Sequence, residues 1–226
     1  MVDFIFMLTR QDQTIPNAAR HLDTAIECGI KHIGFKDVGL PFSDLKKLAI
    51  RIRESGATAY LEVVSLDAKS EATSAQAAVE IGVDRLMGGT RPHVVAPIIA
   101  NAGIGYYPFP GTITGHPSVL EGTQEEIVES AMKLAAMEGV TGLDLLAYRW
   151  TEETVEELIA AVCSAVPVPV VVAGSIGTPE RIGAVARAGA AGFTIGTAAI
   201  DGRFPAASTL LNSQLQAIMK ATEEGQ

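Results

Sequence analysis

Short apolar runs alternate along the chain with longer segments in which apolar residues recur every three or four positions. The short runs, rich in Val, Ile and Phe, are typical of buried strands, and the longer segments are typical of helices with one apolar face. The runs predict eight strands, at residues 3–9, 31–36, 58–65, 84–89, 104–108, 140–147, 168–174 and 192–197. The remaining segments predict eight helices, at about 16–29, 41–55, 69–82, 91–102, 123–138, 151–165, 178–189 and 205–222.

The ends of the predicted helices carry capping signals. Hydroxyl residues that can accept hydrogen bonds from the first backbone N–H groups of a helix stand at four predicted starts, at Ser43, Thr123, Thr151 and Thr178. Glu126 lies three residues after Thr123 and completes a capping box, and Pro179 suits the first turn of its helix. Glycines follow most of the helices shortly before the next strand, as expected of helix C-termini.

Eight successive strand–helix units favour a (β/α)8 barrel, the TIM barrel, formed by residues 1–226 as a single domain. The alternative is a doubly wound open sheet. Such a sheet usually carries its nucleotide-binding glycines after the first strand, and the segment MLTRQDQT at 7–14 contains none. The sequence also has no GxGxxG and no P-loop pattern, so the barrel is the preferred prediction.

The composition predicts a large core and argues against binding to nucleic acid or a membrane. The chain is 48% hydrophobic and has a mean hydropathy of +0.27, yet no apolar run approaches the roughly 18–20 residues of a membrane helix. The formal net charge of −9 disfavours partners that are themselves strongly negative. Any anion site must therefore be local, built from backbone N–H groups and a few positioned cations.

The N-terminus and the cysteines indicate a cytoplasmic protein. The start, MVDFIFMLTRQD, lacks the basic segment and the cleavage site of a signal peptide. Cys28 and Cys163 both lie in apolar helical patterns, so we expect two buried small side chains rather than a disulfide or a metal-binding pair.

The segment 166–202 contains two glycine turns, each following a predicted buried strand. In a parallel barrel these turns lie at adjacent strand ends, where Gly174, Gly177 and Gly196 let a ligand approach the backbone closely. Oriented backbone N–H groups in such turns attract phosphate. The segment therefore predicts a small phosphorylated metabolite as the ligand.

The two turns resemble the phosphate-binding end of the ribulose-phosphate-binding barrel superfamily, which includes sugar-phosphate epimerases and barrels of histidine and tryptophan biosynthesis. The matching residues are AGSIGTPE at 173–180 and IGTA at 195–198. In that superfamily the two turns and a short helix bind the substrate phosphate through backbone N–H groups. The resemblance therefore implies phosphate binding by Gly174, Ser175, Gly177, Gly196 and Thr197.

The first of these motifs resembles the sugar-phosphate epimerase branch most. It lacks the acidic residue that this branch carries between the positions of Ala173 and Gly174, so the resemblance gives neither the substrate nor the reaction. Without the resemblance, the glycines could equally serve close packing of helices against the sheet.

Alternation along the strands points three charged side chains into the barrel. In strands two, three and six the apolar residues suit the helix layer, which leaves Lys36, Glu62, Asp144 and Tyr148 facing inward. Charged side chains rarely occupy an apolar interior without a function. Lys36 could be an acid or base, a cation for an enolate oxygen, or a Schiff-base amine. Glu62 could move a proton next to a carbonyl.

Asp144 could be a second proton carrier or could orient Lys36. The alternative for the cluster is a buried ion pair with a purely structural role.

Other candidates lie in the loops that follow the strands. Asp37 could reach the site or cap the second helix, and His116 lies in a long Gly- and Pro-rich loop at 108–123 that is typical of a lid. Arg10 and Arg149 could bind a substrate carboxylate or second phosphate, or could pair with Asp12 or Asp67.

We expect an enzyme that isomerises or epimerises a small phosphorylated sugar or related metabolite. The alternatives are a carbon–carbon lyase, acting through a Schiff base on Lys36, and a non-catalytic barrel that binds a phosphorylated ligand. No metal motif occurs and no cofactor is expected, although Glu62 with Asp67 or Asp144 could hold Mg²⁺. Apolar helix faces permit a homo-oligomer.

Overall fold

Eight parallel strands form one sheet in the computed structural model, which describes residues 2–65, 67–152 and 154–225. They are β1 (Asp3–Met7), β2 (His32–Lys36), β3 (Thr58–Val63), β4 (Arg85–Gly88), β5 (Gly105–Tyr107), β6 (Leu143–Leu145), β7 (Val170–Val172) and β8 (Gly192–Ile195). The order in the sheet is β6-β7-β8-β1-β2-β3-β4-β5. Backbone hydrogen bonds from Thr141 N to Tyr106 O (2.9 Å) and from Asp144 N to Pro108 O (3.1 Å) join β5 to the β6 region. The sheet is therefore rolled into the expected (β/α)8 barrel.

Helices surround the barrel. They are α1 (Ala18–Glu27), α2 (Phe42–Glu54), α3 (Ala68–Ile81), α4 (Pro92–Ile99), α5 (Gln124–Ala135), α6 (Val155–Ala165), α7 (Pro179–Arg187), α8 (Thr197–Ile200) and α9 (Leu211–Glu224). A 3-10 helix at Ala147–Arg149 follows β6. Two short hairpins lie beyond β1 and β5: a first hairpin of Thr9–Arg10 with Gln13–Thr14, and a second of Thr112–Thr114 with Val119–Glu121.

The alternation of side chains divides the core into two layers. Outward residues such as Phe6, Phe35 and Leu61 pack with the helices in one large cluster. Inward residues form a separate cluster inside the barrel, comprising Ile5, Met7, Tyr60, Met87 and Val171. A Cβ at Gly34 would overlap Met7 Sδ and approach Tyr60 Cβ to 3.2 Å, so a larger residue here would displace Met7 within the barrel.

Two of the four predicted caps are confirmed. The Thr123 side chain accepts from Glu126 N in a reciprocal capping box, and Thr178 accepts from Arg181 N. Ser43 is not a cap, because α2 already begins at Phe42 after Pro41. Thr151 is not one either, because α6 starts later, at Val155 after Thr154.

Two further predicted elements, the sixth strand and the last helix, have different bounds in the structure. The sixth strand is shorter than 140–147, because the backbone leaves the extended region at Leu146 and forms the 3-10 helix. The last helix does not start at 205, since α8 ends at Ile200 and a connector precedes α9. The buried Gln214 fixes this connector by accepting from Phe204 N (2.9 Å) and donating to Ser208 O (2.7 Å).

No helix in the described part of the chain is long and apolar enough to cross a membrane. Cys28 and Cys163 are free thiols and are half-buried rather than fully buried. Burial raises the pKa of the Cys163 thiol to about 11, which keeps it un-ionised at neutral pH.

Candidate active site

A cavity of about 340 Å³ opens at the C-terminal ends of the strands, within the size range of small-molecule sites. Lys36 and Glu62, at the ends of β2 and β3, form one part of its wall. The turns at 174–177 and 196–198, after β7 and β8, form another part. The C-terminal face is where TIM barrels carry their active sites. Two of the three predicted catalytic residues, Lys36 and Glu62, therefore share one cavity with the predicted phosphate-binding residues.

Lys36 is held between two carboxylates inside the barrel mouth. Its Nζ lies 2.8 Å from Glu62 Oε1 and 3.0 Å from Asp12 Oδ1, and all three side chains are buried. Lys36 and Glu62 face each other because they are directly paired in the β2–β3 register. Burial alone lowers the pKa of Lys36, but the charges and hydrogen bonds of Glu62 and Asp12 outweigh it and raise the pKa. Lys36 is therefore an ammonium group at neutral pH.

Asp12 connects this lysine to Arg149. The guanidinium group donates through Nη1 to Asp12 Oδ2 (2.7 Å) and through Nη2 to Oδ1 (2.9 Å). Ser118 N, in the second hairpin, also donates to Asp12 Oδ2 (3.1 Å). Burial alone raises the pKa of Asp12, but the hydrogen bond from Arg149 and the charges of Lys36 and Arg149 hold it well below its usual range.

Asp12, which the sequence suggested only as a possible partner for an arginine, lies between Lys36 and Arg149 at the centre of the charged cluster. It sits at the tip of the first hairpin, where Gln11 and Asp12 have φ values of 50° and 56°. Two successive left-handed residues are typical of a tight two-residue hairpin turn. Asp tolerates the left-handed conformation, and this tolerance was the only local sign of a turn at Asp12. The two strands of the hairpin have two residues each, which is too short for a periodic pattern to predict them.

Asp144 faces inward in β6, paired in register with Val171 of the inner cluster. It is fully buried, and neither carboxyl oxygen has a hydrogen-bond partner in the described structure. Burial, followed by the charge of Glu62, raises its pKa well above the usual range, against smaller opposing effects of Lys36 and Arg149. The protonated acid is therefore favoured. Asp144 does not line the cavity.

The turns after β7 and β8 present unpaired backbone donors. Within the described residues, no acceptor is found for the N–H groups of residues 174–177 and 196–198. Ser175 adopts a left-handed conformation with φ of 51° although it is not glycine, which gives the first turn its tight curvature.

Only part of the glycine pattern is explained by packing. A Cβ at Gly174 would lie 2.7 Å from Arg149 Cγ, and one at Gly196 would lie 2.8 Å from Met7 O. These two glycines are thus required by close contacts within the protein. A Cβ at Gly177 would meet only Ala198 Cβ, at an ordinary 3.5 Å, so packing does not explain Gly177.

The arginines near the turns are partly engaged with Asp201. Arg10 Nη2 lies 2.5 Å from Asp201 Oδ1, so Arg10 pairs with neither Asp12 nor Asp67. Arg203, which sequence reasoning missed, lines the cavity and lies 3.3 Å from Asp201 Oδ2. No sequence pattern places Arg203 at the cavity, because it lies in the connector between α8 and α9.

Three other candidates lie outside the cavity. Tyr148 is in the 3-10 helix rather than on a strand, and Arg181 stacks on its ring at 4.7 Å. Asp37 neither caps α2 nor reaches the cavity, because it accepts hydrogen bonds from Val64 N (3.3 Å) and Ser74 Oγ (2.5 Å). His116 is exposed in the turn of the second hairpin and does not line the cavity.

The described residues contain no group of three or more His, Cys, Asp or Glu side chains arranged to hold a metal ion. Asp67, one half of the possible Mg²⁺ pair, instead caps α3 by accepting from Lys69 N and Ser70 N.

A family model described as "Histidine biosynthesis protein" matches residues 112–214, just under half of the chain. No curated protein matches the sequence. Among solved structures, orotidine 5'-phosphate decarboxylase from Pyrococcus horikoshii OT3 superposes with a TM-score of 0.71 at 12% identity, covering 97% of this chain and 99% of that one.

Two further structures are similar over nearly the whole chain. A structure described as native KDPGal gives a TM-score of 0.66 at 17% identity, covering 99% of this chain and 95% of its own. Monomeric forms of the dimeric phosphoribosylanthranilate isomerase from Thermotoga maritima give 0.67 at 12% identity, covering 99% and 100%. These identities establish the fold alone. Together with the family model they confirm the resemblance to the ribulose-phosphate-binding barrels.

Proposed function

We propose that the protein is an enzyme that isomerises or epimerises a small phosphorylated sugar or related metabolite by moving a proton next to a carbonyl. One observation carries this proposal: a single cavity holds both the unpaired N–H groups of residues 174–177 and 196–198 and the buried Lys36–Glu62 pair. A ligand bound at the turns would place its other end beside that pair. Two structural neighbours, a decarboxylase and an isomerase, act on phosphorylated compounds by name.

The proposed phosphate site consists of Gly174, Ser175, Gly177, Gly196 and Thr197. Their backbone N–H groups donate to the phosphate oxygens, and Arg203 adds positive charge at the same end of the cavity. A local site of this kind is needed because the chain as a whole is strongly acidic.

The proposed chemistry uses Glu62 as the base and Lys36 as the electrophile. Glu62 takes a proton from the carbon next to the carbonyl, and the electron pair moves to the carbonyl oxygen. Lys36, charged between its two carboxylates, stabilises that developing oxyanion. Return of a proton to the former carbonyl carbon, with the proton of the neighbouring hydroxyl passing to the former carbonyl oxygen, completes an isomerisation. Return of a proton to the opposite face of the deprotonated carbon completes an epimerisation.

Asp144 is proposed as the second proton carrier. Burial, and then the negative charge of Glu62, raise the pKa of Asp144. The raised pKa keeps Asp144 protonated and able to donate a proton. Pairs of acids whose environments separate their pKa values are typical of sites that need both an acid and a base. Since Asp144 does not line the cavity, it supplies this proton through Glu62 in an isomerisation, and through water to the opposite face in an epimerisation.

A carbon–carbon lyase with a Schiff base on Lys36 is the competing enzyme function, supported by the position of Lys36 in the cavity wall. A Schiff base requires a neutral amine. The two carboxylates at 2.8 and 3.0 Å favour the ammonium form instead, which makes proton transfer the better-supported chemistry. A barrel that binds a phosphorylated ligand without catalysis is the remaining alternative.

The test begins with a thermal-shift screen against inorganic phosphate, sugar phosphates and the matching unphosphorylated sugars. A ligand that binds only the folded protein raises the melting temperature by mass action. We expect stabilisation by phosphorylated compounds and none by the free sugars. Each stabilising compound is then incubated with wild-type protein and with Lys36→Met. Turnover that is lost in Lys36→Met, with the thermal shift retained, supports the enzyme; full activity of Lys36→Met contradicts it.

A further inference from the structure

We infer that the ligand of this cavity carries one anionic group only, its phosphate, and that the end of the ligand beside Lys36 is uncharged. The class is that of monophosphorylated polyhydroxy carbonyl compounds without a carboxylate or a second phosphate. The inference rests on the proposed function and narrows it, because the sequence left open a second anion bound by Arg10 or Arg149.

The charged side chains around Lys36 already balance one another. Lys36 and Arg149 supply two positive charges, and Asp12 and Glu62 supply two negative charges at distances of 2.7 to 3.0 Å. Each cation is therefore matched within hydrogen-bond distance. A second ligand anion would find no unmatched positive charge there, and burying an unmatched charge is costly.

Arg149 is occupied in the geometry that an anion would need. The Nη1–Nη2 edge of the guanidinium is taken by both oxygens of Asp12, and Nη1 also donates to Ser118 O at 3.3 Å. Only the Nε edge, which lies against Gly174 in the first turn, remains for another anion. The carboxylate of Asp12 thus stands where a ligand carboxylate beside Lys36 would have to bind the two Nη atoms of Arg149. Asp12 is in this sense the specificity-determining residue of the site.

Asp144, which is buried outside the cavity lining, adds to this selection. Asp144 is fully buried with no hydrogen-bond donor to either oxygen in the described structure, and its pKa is raised in part by Glu62. One acidic group in this region is already driven toward its neutral form by its surroundings. A ligand carboxylate beside Glu62 would meet the same repulsion and the same burial.

An excess of positive charge lies beside the turns, where Arg203 lines the cavity and Arg10 lies outside its lining. Arg10 and Arg203 share the single carboxylate of Asp201, at 2.5 and 3.3 Å, which leaves one positive charge unmatched. The unpaired N–H groups of residues 174–177 and 196–198 lie there as well. The turns and Arg203 thus suit an anion, whereas the matched charges around Lys36 suit hydroxyl and carbonyl groups.

The experiment compares matched ligand pairs that differ by a carboxylate in place of a hydroxymethyl group. Binding of glucitol 6-phosphate and 6-phosphogluconate, and of glycerol 3-phosphate and 3-phosphoglycerate, is measured by calorimetry with wild-type protein. We expect the carboxylate member of each pair to bind about tenfold more weakly or worse. Equal or tighter binding of the carboxylate members overturns the inference. Failure of inorganic phosphate to bind overturns the proposed function instead.

Asp12→Asn tests the residue behind the selection. This variant keeps the shape of the side chain but leaves the Arg149 charge unmatched, so the preference for the uncharged member should fall by about threefold or more. An unchanged preference in a folded Asp12→Asn protein means that Asp12 does not set the specificity. The comparison on wild-type protein does not depend on the folding of this variant.

Discussion

A carboxylate introduced at Gly177 should weaken phosphate binding without disturbing the fold. Gly177 lines the cavity, has a φ outside the left-handed region, and has room for a Cβ at 3.5 Å from Ala198 Cβ. A phosphate bound by the neighbouring N–H groups would lie about 5 Å from an aspartate there. Two unit charges at that separation repel by roughly 0.8 kcal/mol in bulk water and roughly 3.3 kcal/mol at an effective dielectric constant of about 20.

Because Gly177 is half-exposed, the repulsion should lie toward the lower end of this range. We expect about 1–2 kcal/mol, or about five- to thirtyfold weaker binding of inorganic phosphate to Gly177→Asp. Gly177→Ala is the matched control and should bind phosphate within about twofold of wild type. Calorimetric titration gives the affinities, and melting temperatures without phosphate show that both variants are folded. Phosphate binding by Gly177→Asp at wild-type strength would refute the assignment of the turn.

Three further results are expected. Borohydride treatment in the presence of a sugar phosphate that the enzyme converts should leave Lys36 unmodified, because the ammonium form of Lys36 is favoured. A mass increase on Lys36 would instead support the lyase. The lowered pKa of Asp12 stabilises the folded protein above the unfolded-state pKa, and this stability is lost as pH falls through the folded-state pKa. Asp12→Asn should therefore have a lower melting temperature than wild type at pH 7, and the difference in melting temperature should become smaller below about pH 4. The raised pKa of Asp144 contributes stability that is lost as pH rises, so the melting temperature of Asp144→Asn relative to wild type should increase from pH 5 to pH 8; a constant difference would contradict the raised pKa.

The barrel could be predicted from the sequence because its periodicities are strong. Buried strands such as 31–36 and 58–65 alternate so regularly that the inward directions of Lys36 and Glu62 followed from the pattern, and the structure pairs these two residues in register. Tyr148 was misplaced because the same alternation was extended past Leu145, where the backbone turns into a 3-10 helix. Periodicity carries no information on where a strand stops when apolar residues continue.

The partners of the charged residues could not be predicted. Arg149 and Asp12 are 137 positions apart in the sequence and meet only because the first hairpin folds over the barrel mouth. Arg10 pairs with Asp201, which lies still further away in the sequence, and no local pattern distinguishes that partner from Asp12 or Asp67. The glycine pattern could not separate phosphate binding from packing, because the packing partners are also distant in the sequence. Gly174 packs against Arg149, and Gly196 packs against Met7 at the end of β1.

The most direct test of the proposed proton transfer is hydrogen–deuterium exchange at the carbon next to the carbonyl of a bound sugar phosphate. The stabilising compounds from the ligand screen are incubated in D₂O with wild-type protein, Glu62→Gln and Gly177→Asp, and deuterium incorporation is followed by NMR. The account predicts incorporation with wild type, loss of exchange in Glu62→Gln with phosphate affinity retained, and slower exchange at subsaturating substrate in Gly177→Asp. Isomerisation without exchange in any variant, or exchange that persists in Glu62→Gln, would contradict the assignment of Glu62 as the base that moves the proton.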